Sequence, residues 1–138
     1  MIRSTDFFPT LSEMLNLELP AGVWFDGMSM RSVLEENQSH GDEIFCHFPT
    51  GGNPASSVRQ GDWKLIRWYC DNADQSDREA LYNLNEDIGE SEDVADLHPD
   101  RVKRLAARLD AILADTKAVI PQPNPNYDAS TTGRKKLN

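Results

Sequence analysis

Ser56–Tyr69, SSVRQGDWKLIRWY, is the stretch that decides the fold. It reads as two short strands folded about Gln60-Gly61-Asp62, with Gly61 supplying the positive φ that a tight turn demands. In the second arm Trp63, Leu65, Arg67 and Tyr69 point one way, and Lys64, Ile66 and Trp68 the other. The hairpin offers no obvious acid, base or nucleophile, so it is expected to be scaffold.

Upstream, EIFCHF (Glu43 to Phe48) sets Ile44, Cys46 and Phe48 against Phe45 and His47, a strand expected to be covered on both sides. The run PTGGNP then breaks it. Downstream of a polar loop, ALYNL (Ala80 to Leu84) gives a fourth strand, followed by the acid-rich turn NEDIGESED. Pro99 suits the first position of a long helix, with Asp100 at the positive end of its dipole and Val102, Leu105, Leu109 and Ile112 as its apolar stripe. Arg101, Lys103, Arg104 and Arg108 fall on or near its wet face. The predicted class is α+β: an antiparallel sheet of about four strands with the C-terminal helix on one face and the hairpin at its middle.

Near the N-terminus, STDFFPTLSEMLN (residues 4–16) predicts a short amphipathic helix. Ser4, Thr5 and Asp6 are its N-cap candidates, Pro9 lies in its first turn, and Phe8, Leu11 and Leu15 recur at helical spacing beside Phe7 and Met14. That apolar face needs a partner. Residues 17–42 are mostly connection, with a short helix around Met30 to Glu36; PQPNPNYDASTTGRKKLN ends the chain as an extended strap whose last ten residues are expected to fray.

Lys plus Arg number 14 against 23 Asp plus Glu, and the net charge of −9 argues against a nucleic-acid partner. No apolar run approaches the roughly 20 residues of a membrane helix, and MIRSTDFFPT lacks the pattern of a secretion signal. Cys46 and Cys70 read as free, packed cysteines, with a single bridge between them left open.

His40, His47 and His98 show no metal-ligand spacing, which argues against zinc. His98 is expected to help start the long helix. His47 stands at a strand end, on the brink of the Pro-Thr-Gly-Gly-Asn-Pro loop where a ligand could reach it. A nucleophile built from Ser56 or Ser57 with His47 and an Asp is not announced by any spacing. Gly51-Gly52 lacks the Lys and the longer spacing of a phosphate loop. The acidic pairs lack the alternating ligand pattern of a calcium loop and read as solvated surface.

The order of segments is more telling. STDFFPTLSEML, FDGMSMRSVL, CHFPTGGNPASSVRQGDWKLIRWY, ALYNLNEDIGESEDVADLHPDRVKRLAARLDAIL and PQPNPNYD together resemble the C-terminal portion of bacterial formylglycine-dependent sulfatases, from about Thr5 to Asp128. The resemblance implies a helix at residues 1–16 belonging to the catalytic-domain side, a connecting segment at 17–42, a sulfatase-like α+β subdomain at 43–120 and an extended tail at 121–138. In the intact family enzyme a Cys or Ser in a Cys/Ser-x-Pro-x-Arg motif becomes formylglycine, and its hydrate attacks the sulfate ester beside a calcium ion.

That machinery is absent from these residues: in Cys46-His47-Phe48-Pro49-Thr50 the Pro comes one place late and Thr50 stands where Arg is required. The resemblance therefore implies no catalytic residue and no metal ligand in this chain. It implies a cleft wall, on which His47-Phe48-Pro49 matches a family motif and Thr50 replaces a second His. His47, Thr50 and Asn53 are the candidates to face a substrate. The chain is expected to be inactive alone, with an N-terminal sulfatase catalytic domain as its partner and any export signal, periplasmic or extracellular, belonging to that half. The competing expectation is a free-standing binding or scaffold module that buries Phe7, Phe8, Leu11 and Leu15 by forming a homodimer.

Overall fold

A computed structural model describes residues 2–38, 41 and 43–127. His40, Asp42 and the last ten residues of the chain lie outside the described residues. The chain divides into two compact units, Met1–Glu43 and Ile44–Asn138.

In the C-terminal unit the four strands β1 (Glu43–Phe48), β2 (Ala55–Gln60), β3 (Trp63–Trp68) and β4 (Arg78–Asn83) form one sheet in the order β1-β2-β3-β4. The hairpin is its middle, as its alternation demands, and Gly61 turns it at φ +58°. The antiparallel register aligns Val58 with Leu65 and Leu65 with Leu81, so one apolar row crosses three strands. The fourth strand begins at Arg78, two residues ahead of the predicted start, and ends at Asn83.

Helix α3 (Pro99–Asp115) covers that row. Val58, Leu65, Leu81, Leu105, Leu109 and Leu113 make a closed apolar core, and each buried leucine stabilises the unit by about 1.5–3 kcal/mol. The helical stripe differs from the predicted one at its end: Leu113, four residues after Leu109, is buried, while Ile112 only flanks the cluster. Arg101 is not simply solvated either, because its guanidinium lies 4.1 Å over the Trp63 ring. The His98 ring packs edge-on against the same indole at 4.9 Å and makes no side-chain cap, so Pro99 rather than the imidazole sets the helix start.

At the edge of the sheet β1 is not covered on both sides. Phe45 packs against the core, whereas Cys46 and Phe48 are exposed. Neither cysteine forms a disulfide, and Cys46 is exposed rather than packed. The acidic turns do more than meet solvent: Asp93 accepts hydrogen bonds from the Leu81 and Ala95 amides at 3.0 Å each. Asp87 accepts from the amides of Ser91 and Glu92, at 2.6 and 2.8 Å. Carboxylates thereby help to close the backbone of this loop, which also reaches β4 through the Val94 amide donating to the Leu81 carbonyl at 2.9 Å.

The N-terminal unit holds a 3-10 turn (Ser4–Asp6) running into α1 (Phe7–Met14), and α2 (Arg31–Glu36). Asp6 makes no side-chain cap on α1, although its bond to the Arg3 amide closes a capping box on the 3-10 turn. It is fully buried and accepts hydrogen bonds from the Arg3 amide at 2.7 Å and the Met28 amide at 3.0 Å. One turn later Thr10, also buried, donates to the Asp6 carbonyl at 2.5 Å and accepts from the Met30 amide at 3.0 Å. Gly27 fits because any Cβ there would stand 2.0 Å from the Thr5 carbonyl oxygen. The polar side of α1 is thus its inner side, and Phe7, Phe8, Leu11 and Leu15 face outward at 54–66% exposure.

Candidate functional site

β1 delivers His47 to the face of the sheet that carries Ser56 and Tyr69. Its Nδ1 lies 2.6 Å from the Ser56 hydroxyl, its Nε2 3.1 Å from the Val119 carbonyl oxygen, and the Ser56 and Tyr69 hydroxyls are 2.7 Å apart. A carbonyl only accepts, so Nε2 carries the proton and donates to Val119. In the neutral ring Nδ1 then accepts from Ser56, whose oxygen accepts from Tyr69. One directed chain of hydrogen bonds runs from Tyr69 through Ser56 and His47 to the segment after α3. Phe45 lies nearly parallel to the imidazole, and Tyr69 meets it edge-on.

Ser56 beside His47 has the outline of a nucleophile and base, but its setting does not support that role. The serine is 2% exposed. A backbone carbonyl, not a carboxylate, orients the far side of the imidazole, so nothing offsets the charge that a base would acquire. The arrangement ties β1, β2, the end of β3 and the segment after α3 together.

Beyond His47 the loop Pro49–Pro54 stands clear. Gly51 adopts φ +90°, a region where an L side chain is strained, and Gly52 has open space where a Cβ would sit. Thr50 and Asn53 are exposed, and their side chains make no hydrogen bond among the described residues. The loop is fixed at both ends, by His47 on one side and by the Tyr69 amide donating to the Pro54 carbonyl at 2.9 Å on the other. The structure thus places His47 within a network and leaves Thr50 and Asn53 available.

A cavity of about 440 Å³ opens nearby on the α3 side, lined by Arg67, Tyr69, Asp77, Asp110, Leu113 and Lys117 among others. Its charge is largely committed: Arg67 bonds Glu79 at 2.7 Å and Asp110 at 2.5 Å. Burial pulls the Arg67 pKa down, but its hydrogen bonds to Asp110 and Glu79 outweigh that and hold it above the ordinary value. None of His47, Thr50 and Asn53 lines the cavity. The sequence reading missed the partners of His47. Strand alternation put Tyr69 on the face of Arg67, but only the pairing of Ser56 with Arg67 brings Ser56 beside it.

Among the described residues no group of three or more His, Cys, Asp and Glu side chains could hold a metal ion. The acidic turn does not suit calcium, since Asp87 and Asp93 already accept backbone amides. Among the described residues no helix is long and apolar enough to cross a membrane.

No protein-family model matches the chain. A curated relative from Formosa agariphila, named Sulfatase, is 34% identical over 114 residues, covering 72% of this chain and 20% of the relative. A solved structure from Bacteroides thetaiotaomicron, the 6S-sulf chain of work on the metabolism of multiple glycosaminoglycans, superposes with a TM-score of 0.62 at 23% identity, over 79% of this chain and 24% of that one. A phosphonate monoester hydrolase of Agrobacterium radiobacter superposes with a TM-score of 0.55 at 22% identity, over 80% and 24% of the respective chains. At these identities the two structures show a shared fold. The chain spans about a fifth of the length of the curated relative it matches.

Proposed function

We propose that the chain, which is 34% identical over 72% of its length to a curated sulfatase, is the C-terminal portion of a sulfuric ester hydrolase and supplies part of one wall of its substrate cleft. The observation that carries this reading is the loop Pro49–Pro54, pinned at both ends while Thr50 and Asn53 project unengaged. A hydroxyl and a carboxamide offer donors to the oxygens of a sulfate ester or of the sugar that bears it. With both ring nitrogens engaged, His47 serves as the post that holds the loop in place. The bond-breaking groups, formylglycine and a calcium ion, belong to the remainder of the enzyme, and the chain is inactive without it.

Two measurements test the reading. The purified chain, incubated with an aryl sulfate and calcium, is expected to show no turnover; turnover that disappears in His47→Ala or Cys46→Ala would sink the claim of inactivity. In a chimaera where this chain replaces the matched stretch of the Formosa agariphila relative, Thr50→Ala and Asn53→Ala are expected to raise KM several-fold with little change in kcat. Unchanged KM in both would remove the cleft-wall role.

A further inference from the structure

The cavity beside α3 lies between two pinned walls. On one side are Arg67 and Tyr69 at the end of β3 with Asp77 of the following turn, and on the other the last turn of α3 with Lys117, Ala118 and Ile120. Gln75 joins the two: its Nε2 donates to the Asn124 carbonyl at 3.1 Å, and its Oε1 accepts from the Asn124 amide at 2.6 Å. His47 holds the same strap at the Val119 carbonyl, and Asp77 closes its own turn by accepting from the Cys70 amide at 2.9 Å. The walls are set before any ligand arrives.

Lys117 ends α3 at φ +52°, the left-handed position where glycine is the ordinary residue. A lysine carried there at a conformational cost puts an ammonium on the cavity rim, where it makes no hydrogen bond or ion pair among the described residues.

What the ion pairs leave over defines the ligand. Arg67 engages Glu79 through Nε and Nη2 and Asp110 through Nη1, so two of the five N–H groups of its guanidinium stay unused. Asp77 and Asp110 each engage one carboxylate oxygen and keep the other. The lining charges balance, Arg67 and Lys117 against Asp77 and Asp110, so an ion of either sign meets a like charge. A wholly apolar guest would strip water from these groups and replace none of it. Yet Leu113, Ala114, Ala118 and Ile120 give the cavity an apolar side. A neutral ring with hydroxyls at its edge and C–H groups on its face satisfies both. The volume of about 440 Å³ lies within the roughly 300–1,000 Å³ of small-molecule sites.

We infer that the cavity is a binding site for a neutral pyranose, whose hydroxyls meet Arg67, Asp77, Asp110 and Lys117 while its C–H face lies on Ala114 and Ile120. The inference goes beyond the cleft-wall reading, since none of His47, Thr50 and Asn53 lines the cavity, and it is tested on this chain alone.

Amide chemical shifts of the purified, isotope-labelled chain, followed during titration with the methyl glycosides of glucose, galactose and mannose, read occupancy. At least one glycoside should give saturable shifts at Asp77, Ala114, Lys117 and Ala118, with Kd on the order of 1–10 mM. No saturable shift with any of them overturns the inference. Shifts confined to Thr50 and Asn53 also overturn it, although they support the cleft wall. Shifts at the cavity with unchanged KM in the chimaera uphold it and remove the cleft wall.

Ala114→Phe fills the cavity and should weaken binding at least about tenfold. Lys117→Gly relieves the backbone at φ +52° and removes the ammonium, so binding should weaken about threefold with the thermal midpoint unchanged or raised. Unchanged affinity in both variants places the sugar elsewhere and overturns the inference; if Ala114→Phe does not fold, Lys117→Gly decides alone. Glucuronate and protonated glucosamine, which put a charge on the same ring, should bind more weakly than the neutral glycoside. Tighter binding of either overturns the neutral class.

Discussion

The two units of this chain bury opposite kinds of side chain. In the C-terminal unit the largest fully buried group is a row of leucines and a valine shared between the central hairpin, β4 and α3. In the N-terminal unit the buried residues include Asp6, Thr10 and Ser12, while the apolar stripe of α1 meets solvent. An apolar core is non-directional and repays its entropy by area; a polar clip repays it only when every donor and acceptor is matched. The first arrangement closes upon itself, and the second fixes a shape while leaving its apolar stripe in solvent.

The sharpest way to break this contrast is to cut into the leucine row. Leu105→Ala removes a fully buried side chain from the centre of α3 and should cost about 2–5 kcal/mol, depending on how far the sheet relaxes into the gap. Urea unfolding followed through Trp63 and Trp68 would report it. A loss below about 0.5 kcal/mol, the range of ordinary surface substitutions, would mean that α3 is not what closes the core.

The clips of the N-terminal unit come next. Asp6→Ala leaves the Arg3 and Met28 amides without their carboxylate acceptors, at about 1–3 kcal/mol for each donor that stays buried. Hydrogen exchange should accelerate at Met28 and Met30 while the amides of β3 keep their protection. Uniform acceleration across both units would show that the polar clips and the leucine core are one cooperative system rather than two.

These contrasts also explain what could be read without coordinates. The hairpin, the four strands, α3 and the apolar stripe of α1 were legible because each depends on a local period of two or of about 3.6 residues. The inward role of Asp6 was not, since its partner Met28 lies 22 residues away in a segment with no periodicity. Asp93 gave the same difficulty: an acid in an acid-rich turn reads as solvated until the Leu81 amide is found 3.0 Å from it. At the candidate site, the loop Pro49–Pro54 was legible from its Pro and Gly residues. The Ser56 and Val119 partners of His47 were not, because Val119 lies 72 positions along the chain.

A smaller effect tests where charge supports the C-terminal unit. Arg67 is mostly buried and bridges Glu79 on the neighbouring strand to Asp110 on α3. Arg67→Met keeps the aliphatic stem and removes the guanidinium, and should cost about 1–3 kcal/mol, the range for hydrogen bonds to charged groups. Paired with Asp110→Ala in a double-mutant cycle, it separates the exposed contact from the half-buried one. Because Asp110 is 60% exposed, its share should be the lesser and should fade with added salt.

The smallest expected effect concerns the hydrogen-bond chain at the site. Burial pushes the Tyr69 phenol above its ordinary pKa of 10.0. A folded pKa above the unfolded one means that the fold favours the neutral phenol. That contribution is complete below the unfolded value and is lost as pH rises through the folded one, with a slope of at most about 1.4 kcal/mol per pH unit between them. Tyr69→Phe should therefore cost about 1 kcal/mol at neutral pH through the lost hydrogen bond, and should flatten part of the alkaline decline. Tyr82, raised by its own burial, contributes to the slope that remains. Urea melts at neutral pH and above the phenol's ordinary 10.0 would show both changes. An alkaline decline identical in the two proteins would mean that the Tyr69 proton is indifferent to folding, and that the network through Ser56 holds His47 by geometry without drawing on it.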